Sequence, residues 1–230
     1  MQSKVIIITG VSRGLGYSLS NHWLQNNEII GIGRTCPKDL SNKIDFYNCD
    51  LRNQDNIDFT IKSICKKHPK IDLLINNAAT LTSKPLVLMS DIEISNMVDL
   101  NIKATIFLSR AVFRKMLINK SGNIINILSM APKVNAIGDS VYAASKSAIE
   151  TFSQILNREG HPFGIHVNNI AISGFPSGML DQIITRNSKK VLDLIYHKQY
   201  APLSEIIASI EFFEKNTIDI GGQTLYFGGM

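Results

Sequence analysis

The stretch Lys4-Val5-Ile6-Ile7-Ile8-Thr9-Gly10-Val11-Ser12-Arg13-Gly14-Leu15-Gly16 decides the fold. Its first half is a short β-branched run, suited to a strand buried on both faces. Glycines at 10, 14 and 16 then break that run. They permit a tight turn and close helix packing, so backbone N–H groups and a helix N-terminus can approach a pyrophosphate. Gly10, Ser12, Arg13, Gly14, Leu15 and Gly16 are therefore candidate cofactor-binding residues. A glycine turn serving packing alone has the same appearance, so the other parts of a dinucleotide site must come from elsewhere in the chain.

Outward from this turn, short β-branched runs alternate with longer amphipathic stretches, the pattern of a parallel sheet covered by helices on both faces. Strands are predicted near 4–9, 28–33, 44–49, 71–76, 122–128, 165–171 and 223–227, and helices near 14–26, 53–68, 95–118, 140–159 and 203–215. Right-handed crossovers make this a doubly wound, Rossmann-type α/β fold of seven strands, with a ligand crevice beyond the strands' carboxyl ends. The whole of 1–230 reads as one domain. Residues 174–203 carry short apolar fragments, Leu180 to Ile184 and Val191 to Tyr196, and are expected to form a substrate lid.

The apolar run before Gly10 is too short for a signal peptide or a membrane span, which points to a cytoplasmic protein with no membrane partner. Cys36, Cys49 and Cys65 are odd in number and lack ligand spacing, as expected of reduced thiols. The five histidines show no metal-binding pattern, so no metal is expected. The net charge of +5 comes from scattered cations, which argues against a nucleic-acid partner.

The informative residues follow predicted strand ends. Asp50-Leu51 follows the third strand, where the carboxylate can accept from an adenine amino group; a helix N-cap is the plainer reading. Asn77-Ala78 follows the fourth, where small residues let backbone approach a cofactor ribose, although an Asn-rich turn would read the same way. Tyr142 and Lys146, four residues apart, share one helix face, and a cation beside a phenol favours the phenolate. The pair can thus exchange protons with an alcohol. Ser129, at the end of the fifth strand, can hydrogen-bond the same substrate oxygen. The second strand ends in Arg34-Thr35 with no carboxylate before Asp39. Arg34 and Arg13 together suit a ribose 2′-phosphate, so NADP(H) is the expected cofactor.

These motifs, with Asn101 inside Asp99-Leu100-Asn101-Ile102-Lys103-Ala104 and the closing Gly221-Gly222-Gln223, resemble the short-chain dehydrogenase/reductase family along essentially the whole chain. The resemblance, which includes 3-oxoacyl-carrier-protein reductases, implies that Tyr142 protonates a carbonyl oxygen and Lys146 lowers the tyrosine pKa and binds the nicotinamide ribose. Ser129 would orient the carbonyl, and Asn101 would hold a proton-relaying water. Two positions depart from the family pattern. Ala79 stands where a glycine is usual, and Ile172-Ser173 replaces a Pro-Gly pair, which leaves Ser173, Phe175 and Ser177 facing the nicotinamide.

The expected function is NADP(H)-dependent reduction of a ketone, or oxidation of a secondary alcohol, on a small-molecule substrate such as a 3-oxoacyl thioester. Arg114, Lys115 and Lys120 form a basic cluster suited to an acyl carrier protein. Apolar residues on the helices near 95–118 and 140–159 suit a homodimer or homotetramer, or else simply the core. The alternative is a non-catalytic dinucleotide-binding regulator of the same fold.

Overall fold

A computed structural model describes residues 3–173, 200–215 and 220–227. Phe175, Ser177 and the expected lid, except 200–203, lie outside these residues. The elements are β1 (Val5–Thr9), α1 (Gly14–Trp23), β2 (Glu28–Gly33), β3 (Asp45–Asn48), α2 (Gln54–Lys67) and β4 (Leu73–Asn76). Next come α3 (Asp91–Met97), α4 (Thr105–Asn119), β5 (Gly122–Ser129), α5 (Ala131–Val134), α6 (Ser140–Gly160), β6 (Ile165–Ile172), α7 (Leu203–Lys215) and β7 (Thr224–Phe227). The sheet is parallel throughout, in the order β3-β2-β1-β4-β5-β6-β7. The winding order of the strands reverses between β1 and β4, and the crevice at that switch point is where a doubly wound sheet takes its ligand.

Alternation along β1 builds both halves of the core. Ile6 and Ile8 face a layer with Leu15, Leu19 and Trp23 of α1 and Ile206, Ile210 and Phe213 of α7. Ile7 faces the opposite layer with Ile57, Ile61 and Ile64 of α2 and Leu108, Val112 and Met116 of α4. Each of these buried side chains contributes about 1.5–3 kcal/mol relative to exposure. Among the described residues, no helix is long and apolar enough to cross a membrane, and no group of three or more His, Cys, Asp or Glu could hold a metal.

Two helices differ from expectation. The one predicted over 14–26 stops at Trp23. The one predicted over 95–118 begins at Asp91, where Ser90 and Glu93 form a reciprocal capping box. It then widens into a π-helical stretch over Val98–Ala104 before α4. Such stretches occur often at functional sites, and Asn101 sits within this one.

Candidate active site

Gly10 and Gly14 adopt φ of +73° and +62°, which side chains with a Cβ resist. A Cβ on Gly10 would meet Ala78 Cα at 3.0 Å, and one on Gly16 would lie 2.6 Å from Asn77 Nδ2. The loop after β4 therefore packs directly on the glycine turn. Thr9, which the sequence motif includes without assigning it a role, joins the two. Its hydroxyl accepts from the N–H groups of Asn77 and Ala78 at 3.0 and 2.9 Å. Asn77 Nδ2 in turn donates to the Thr9 carbonyl at 2.8 Å. Asn77 thus braces the turn with its side chain. Ala79, in the usual glycine position, is not among the residues at positive φ, so its methyl group strains nothing there.

No side chain caps α1 and no acidic residue occupies its first turn. Its first N–H groups and the positive end of its dipole are left for an anion, which fits the pyrophosphate of a dinucleotide. At the end of β2, Arg34 is exposed, as is Arg13 at the start of α1. Neither guanidinium has an ion-pair partner among the described residues. Ser12 Oγ donates to the Thr35 carbonyl at 2.5 Å and ties this edge to the glycine turn. Asp50 lies at the end of β3, but both its oxygens accept from Arg52, at 3.0 and 2.6 Å. The hydrogen bonds from Arg52 hold its carboxyl down at about 2. An adenine amino group would have to share that carboxylate with Arg52. Leu51 beside it is buried.

The other end of the crevice is built by β5 and α6. Ser129 ends β5, and its hydroxyl accepts from the Ala131 N–H at 3.1 Å while hydrogen bonding to Tyr142 favours the phenolate. Burial outweighs that bond and pushes the Tyr142 phenol up to about 12. Lys146, one turn later, is 6% exposed; Nζ donates to the Ile127 carbonyl at 2.8 Å and lies 5.8 Å from the Tyr142 ring centroid. Burial pulls its pKa down to about 8. Asn101 is buried beside them. Its amide exchanges two 2.9 Å hydrogen bonds with the Thr80 backbone and donates to Ser145 Oγ at 3.1 Å, and that hydroxyl donates to the Tyr142 carbonyl at 2.7 Å. The Asn101 side chain therefore fastens the loop after β4 to the helix that carries Tyr142. The Asn101 backbone carbonyl accepts from Thr105 Oγ1 at 3.1 Å.

Ile172 extends β6, pairing with Ser129 on one side and Phe227 on the other. Ser173 Oγ, just beyond, is buried without a hydrogen-bond partner among the described residues. An orphaned hydroxyl at this strand end suits the carboxamide end of a nicotinamide. Beneath the site runs a polar row that sequence reading missed. Asn76, Asn126, Asn169 and Thr224 stand in register across four strands. They are joined by side-chain bonds of 2.8, 3.3 and 3.1 Å. Asn76 also reaches Ser109 of α4 at 2.9 Å, and Asn126 reaches Ser153 of α6 at 2.8 Å. Asn76, Asn126 and Asn169, set among isoleucines and leucines of the central strands, were the available signal.

Residues 4–188 match the sequence profile of the short chain dehydrogenases. The chain is 29% identical over 235 residues to a 3-oxoacyl-[acyl-carrier-protein] reductase of Buchnera aphidicola, covering 98% of this chain and 96% of that one. It is 30% identical over 182 residues to a 2-dehydro-3-deoxy-D-gluconate 5-dehydrogenase of Pseudoalteromonas atlantica, covering 74% and 72%. A variant of actinorhodin polyketide ketoreductase, solved with NADPH, superposes with a TM-score of 0.90 at 20% identity, covering 100% of this chain and 98% of that one. Strand order, glycine turn and the profile match agree: the chain belongs to the short-chain dehydrogenase/reductase family of oxidoreductases.

Proposed function

We propose that the protein is a cytoplasmic, NADP(H)-dependent oxidoreductase that reduces a ketone or oxidises the corresponding secondary alcohol, with 3-oxoacyl thioesters the favoured substrates. The observation that carries this reading is the meeting of Ser129, Tyr142 and Lys146 at the carboxyl end of β5, on the same rim as an uncapped, glycine-turned helix. The dinucleotide, once bound, supplies or accepts the hydride at the carbonyl carbon. Tyr142 keeps its proton at neutral pH and donates it to the carbonyl oxygen during reduction, while the Ser129 hydroxyl fixes that oxygen in place. Lys146 spends one N–H on Ile127, which leaves two for the ribose hydroxyls and places positive charge behind the phenol as it loses its proton.

Gly10, Ser12, Arg13, Gly14, Leu15, Gly16, Arg34, Asp50, Leu51, Asn77, Ala78, Ser173, Phe175 and Ser177 complete the proposed cofactor site. Arg13 and Arg34, without an ion pair among the described residues, support a phosphorylated ribose. Two features support an acyl substrate. Leu86, Val87, Leu88 and Ile137 are exposed on two loops joined by the Lys84 N–H and the Gly138 carbonyl, 3.0 Å apart, and Ile137 lies five residues before Tyr142. Arg114 and Lys120, both exposed on the far end of α4, would suit the docking of an acidic carrier, and the Buchnera relative is named for an acyl carrier protein. Exposed Ile118 of α4 and Ile155 of α6 support assembly as a homodimer or homotetramer.

Assaying ketones and 3-oxoacyl thioesters with NADPH and with NADH tests the reading. Turnover of a 3-oxoacyl thioester with NADPH is expected. Binding of NADPH with no turnover of any substrate would favour the regulator instead.

A further inference from the structure

Asp139 stands at the N-terminal boundary of α6, three positions before Tyr142. Its backbone already belongs to the first turn, since the Asp139 carbonyl accepts from the Ala143 N–H at 2.7 Å. An aspartate in that position commonly turns its carboxylate onto the free N–H groups of the turn, but the Asp139 side chain caps nothing. Oδ1 is instead shut off from solvent with no hydrogen-bond partner, and the carboxylate forms no ion pair among the described residues. Glu214 Oε1, enclosed in the same way, has the Lys4 ammonium at 2.8 Å. Asp139 has no such cation. Lys84 Nζ is engaged with Glu93 at 2.6 Å, and Lys146 Nζ with the Ile127 carbonyl at 2.8 Å. A buried acceptor left empty keeps its full desolvation cost, so an orphaned carboxylate oxygen calls for a donor from outside the chain.

The place of this carboxylate says which donor. Its charge is felt at the phenol: burial is the main reason that Tyr142 sits at about 12, and Asp139 adds to it. The neighbouring Gly138 carbonyl accepts from the Lys84 N–H at 3.0 Å, so Asp139 lies where the Tyr142 helix meets the loop bearing exposed Leu86, Val87 and Leu88. We infer that Asp139 is a specificity-determining residue: its carboxylate accepts a hydrogen bond from an O–H or N–H group that the substrate carries close to the reacting carbonyl. This rests on the ketone-reduction reading above and narrows its substrates. A site with a buried acceptor rejects the analogue that lacks the donor, because binding that analogue leaves the carboxylate empty. Two kinds of substrate supply the donor: a thioester whose thiol arm carries an amide N–H, and a ketone with a hydroxyl on the adjacent carbon.

Two matched pairs of ketones, assayed with saturating NADPH, separate these sources. In the first, the 3-oxobutanoyl thioester of N-acetylcysteamine is set against the 2-acetoxyethyl thioester, in which an ester oxygen replaces the N–H. In the second, 1-hydroxy-2-butanone is set against 3-pentanone. The parent should favour the donor-bearing member of one pair at least about tenfold in kcat/KM, and the pair that responds identifies the donor. Asp139→Ala should lower that ratio about tenfold. Asp139→Asn keeps the shape and one acceptor but not the charge, and should lower it about threefold. Both members of a pair meet the same Tyr142 and Ser129, so a merely loosened α6 would slow them alike and leave the ratio unmoved. Parental ratios near one in both pairs, or a ratio that survives the two substitutions, overturn the inference and leave the ketone-reduction reading standing. A parent that oxidises NADPH with none of the four ketones overturns both.

Discussion

Burial moves Tyr142 and Lys146 in opposite directions, and each shift has a measurable consequence. With its phenol up at about 12, Tyr142 is a proton reservoir at neutral pH and no other described side chain at the site replaces it. Tyr142→Phe should therefore keep cofactor affinity but lose at least about a hundredfold in kcat, read by steady-state kinetics beside a cofactor titration. A variant that turns over at the parental rate would remove Tyr142 from the mechanism. Lys146 gives a pH dependence. Its ammonium is charged below about 8 and neutral above, so kcat/KM for ketone reduction should hold up to about pH 8 and then fall. Folding runs the other way. The folded protein releases this proton near 8 and the unfolded chain near 10.5, so over that window the unfolded state binds more protons and this group's contribution to stability rises with pH. Activity and the Lys146 contribution to stability should thus diverge above pH 8, and a kcat/KM profile flat to pH 10 would contradict the role given to Lys146.

At the scale of elements, the strands were legible because a parallel sheet buried on both faces demands short apolar runs, and Ile6 to Ile8, Leu73 to Ile75 and Ile124 with Ile125 supply them. The candidate site residues were legible for a related reason. Gly10, Arg34, Asp50, Asn77, Ser129 and Ser173 each end or follow a strand, and the fold gathers strand ends on one rim. The capping box of Ser90 and Glu93 was equally visible in sequence, and it places the start of α3 that periodicity alone put at 95. The π-helical stretch carries no comparable mark, since its residues also suit an α-helix. The asparagine row depends on register and on partners 27 or more residues apart, which no local pattern encodes. The row should matter to stability. Asn126→Ala removes one hydrogen bond each from Asn76, Ser153 and Asn169 in the buried interior, at about 1–3 kcal/mol for each bonding position left empty. Thermal unfolding should show a loss of at least about 5 °C, using the usual 2–4 °C per kcal/mol for a chain of this size. A midpoint within one degree of the parent would mean that the row relaxes freely.

For the whole molecule, the cofactor crevice lies where both halves of the sheet and both core layers meet, so binding there should be felt as global stability. A ligand held only by the folded state stabilises it in proportion to the logarithm of its concentration over Kd. NADPH at about a hundredfold its Kd adds about 2.7 kcal/mol. For a chain of 230 residues that corresponds to a midpoint about 5–10 °C higher. NADH at the same concentration meets the same glycine turn and the same α1 N-terminus but offers Arg13 and Arg34 no phosphate, so its increment should be several degrees smaller. The difference between the two midpoints reports the ribose phosphate alone, because every other contact is shared. Arg34→Ala should therefore shrink the NADPH increment towards that of NADH and leave the NADH increment nearly as it was, consistent with the loss of about 1.5–3 kcal/mol for a hydrogen bond to a charged group. Equal increments from the two nucleotides in the parent, or an Arg34→Ala variant that loses both alike, would place the selectivity for the adenosine ribose somewhere other than the end of β2.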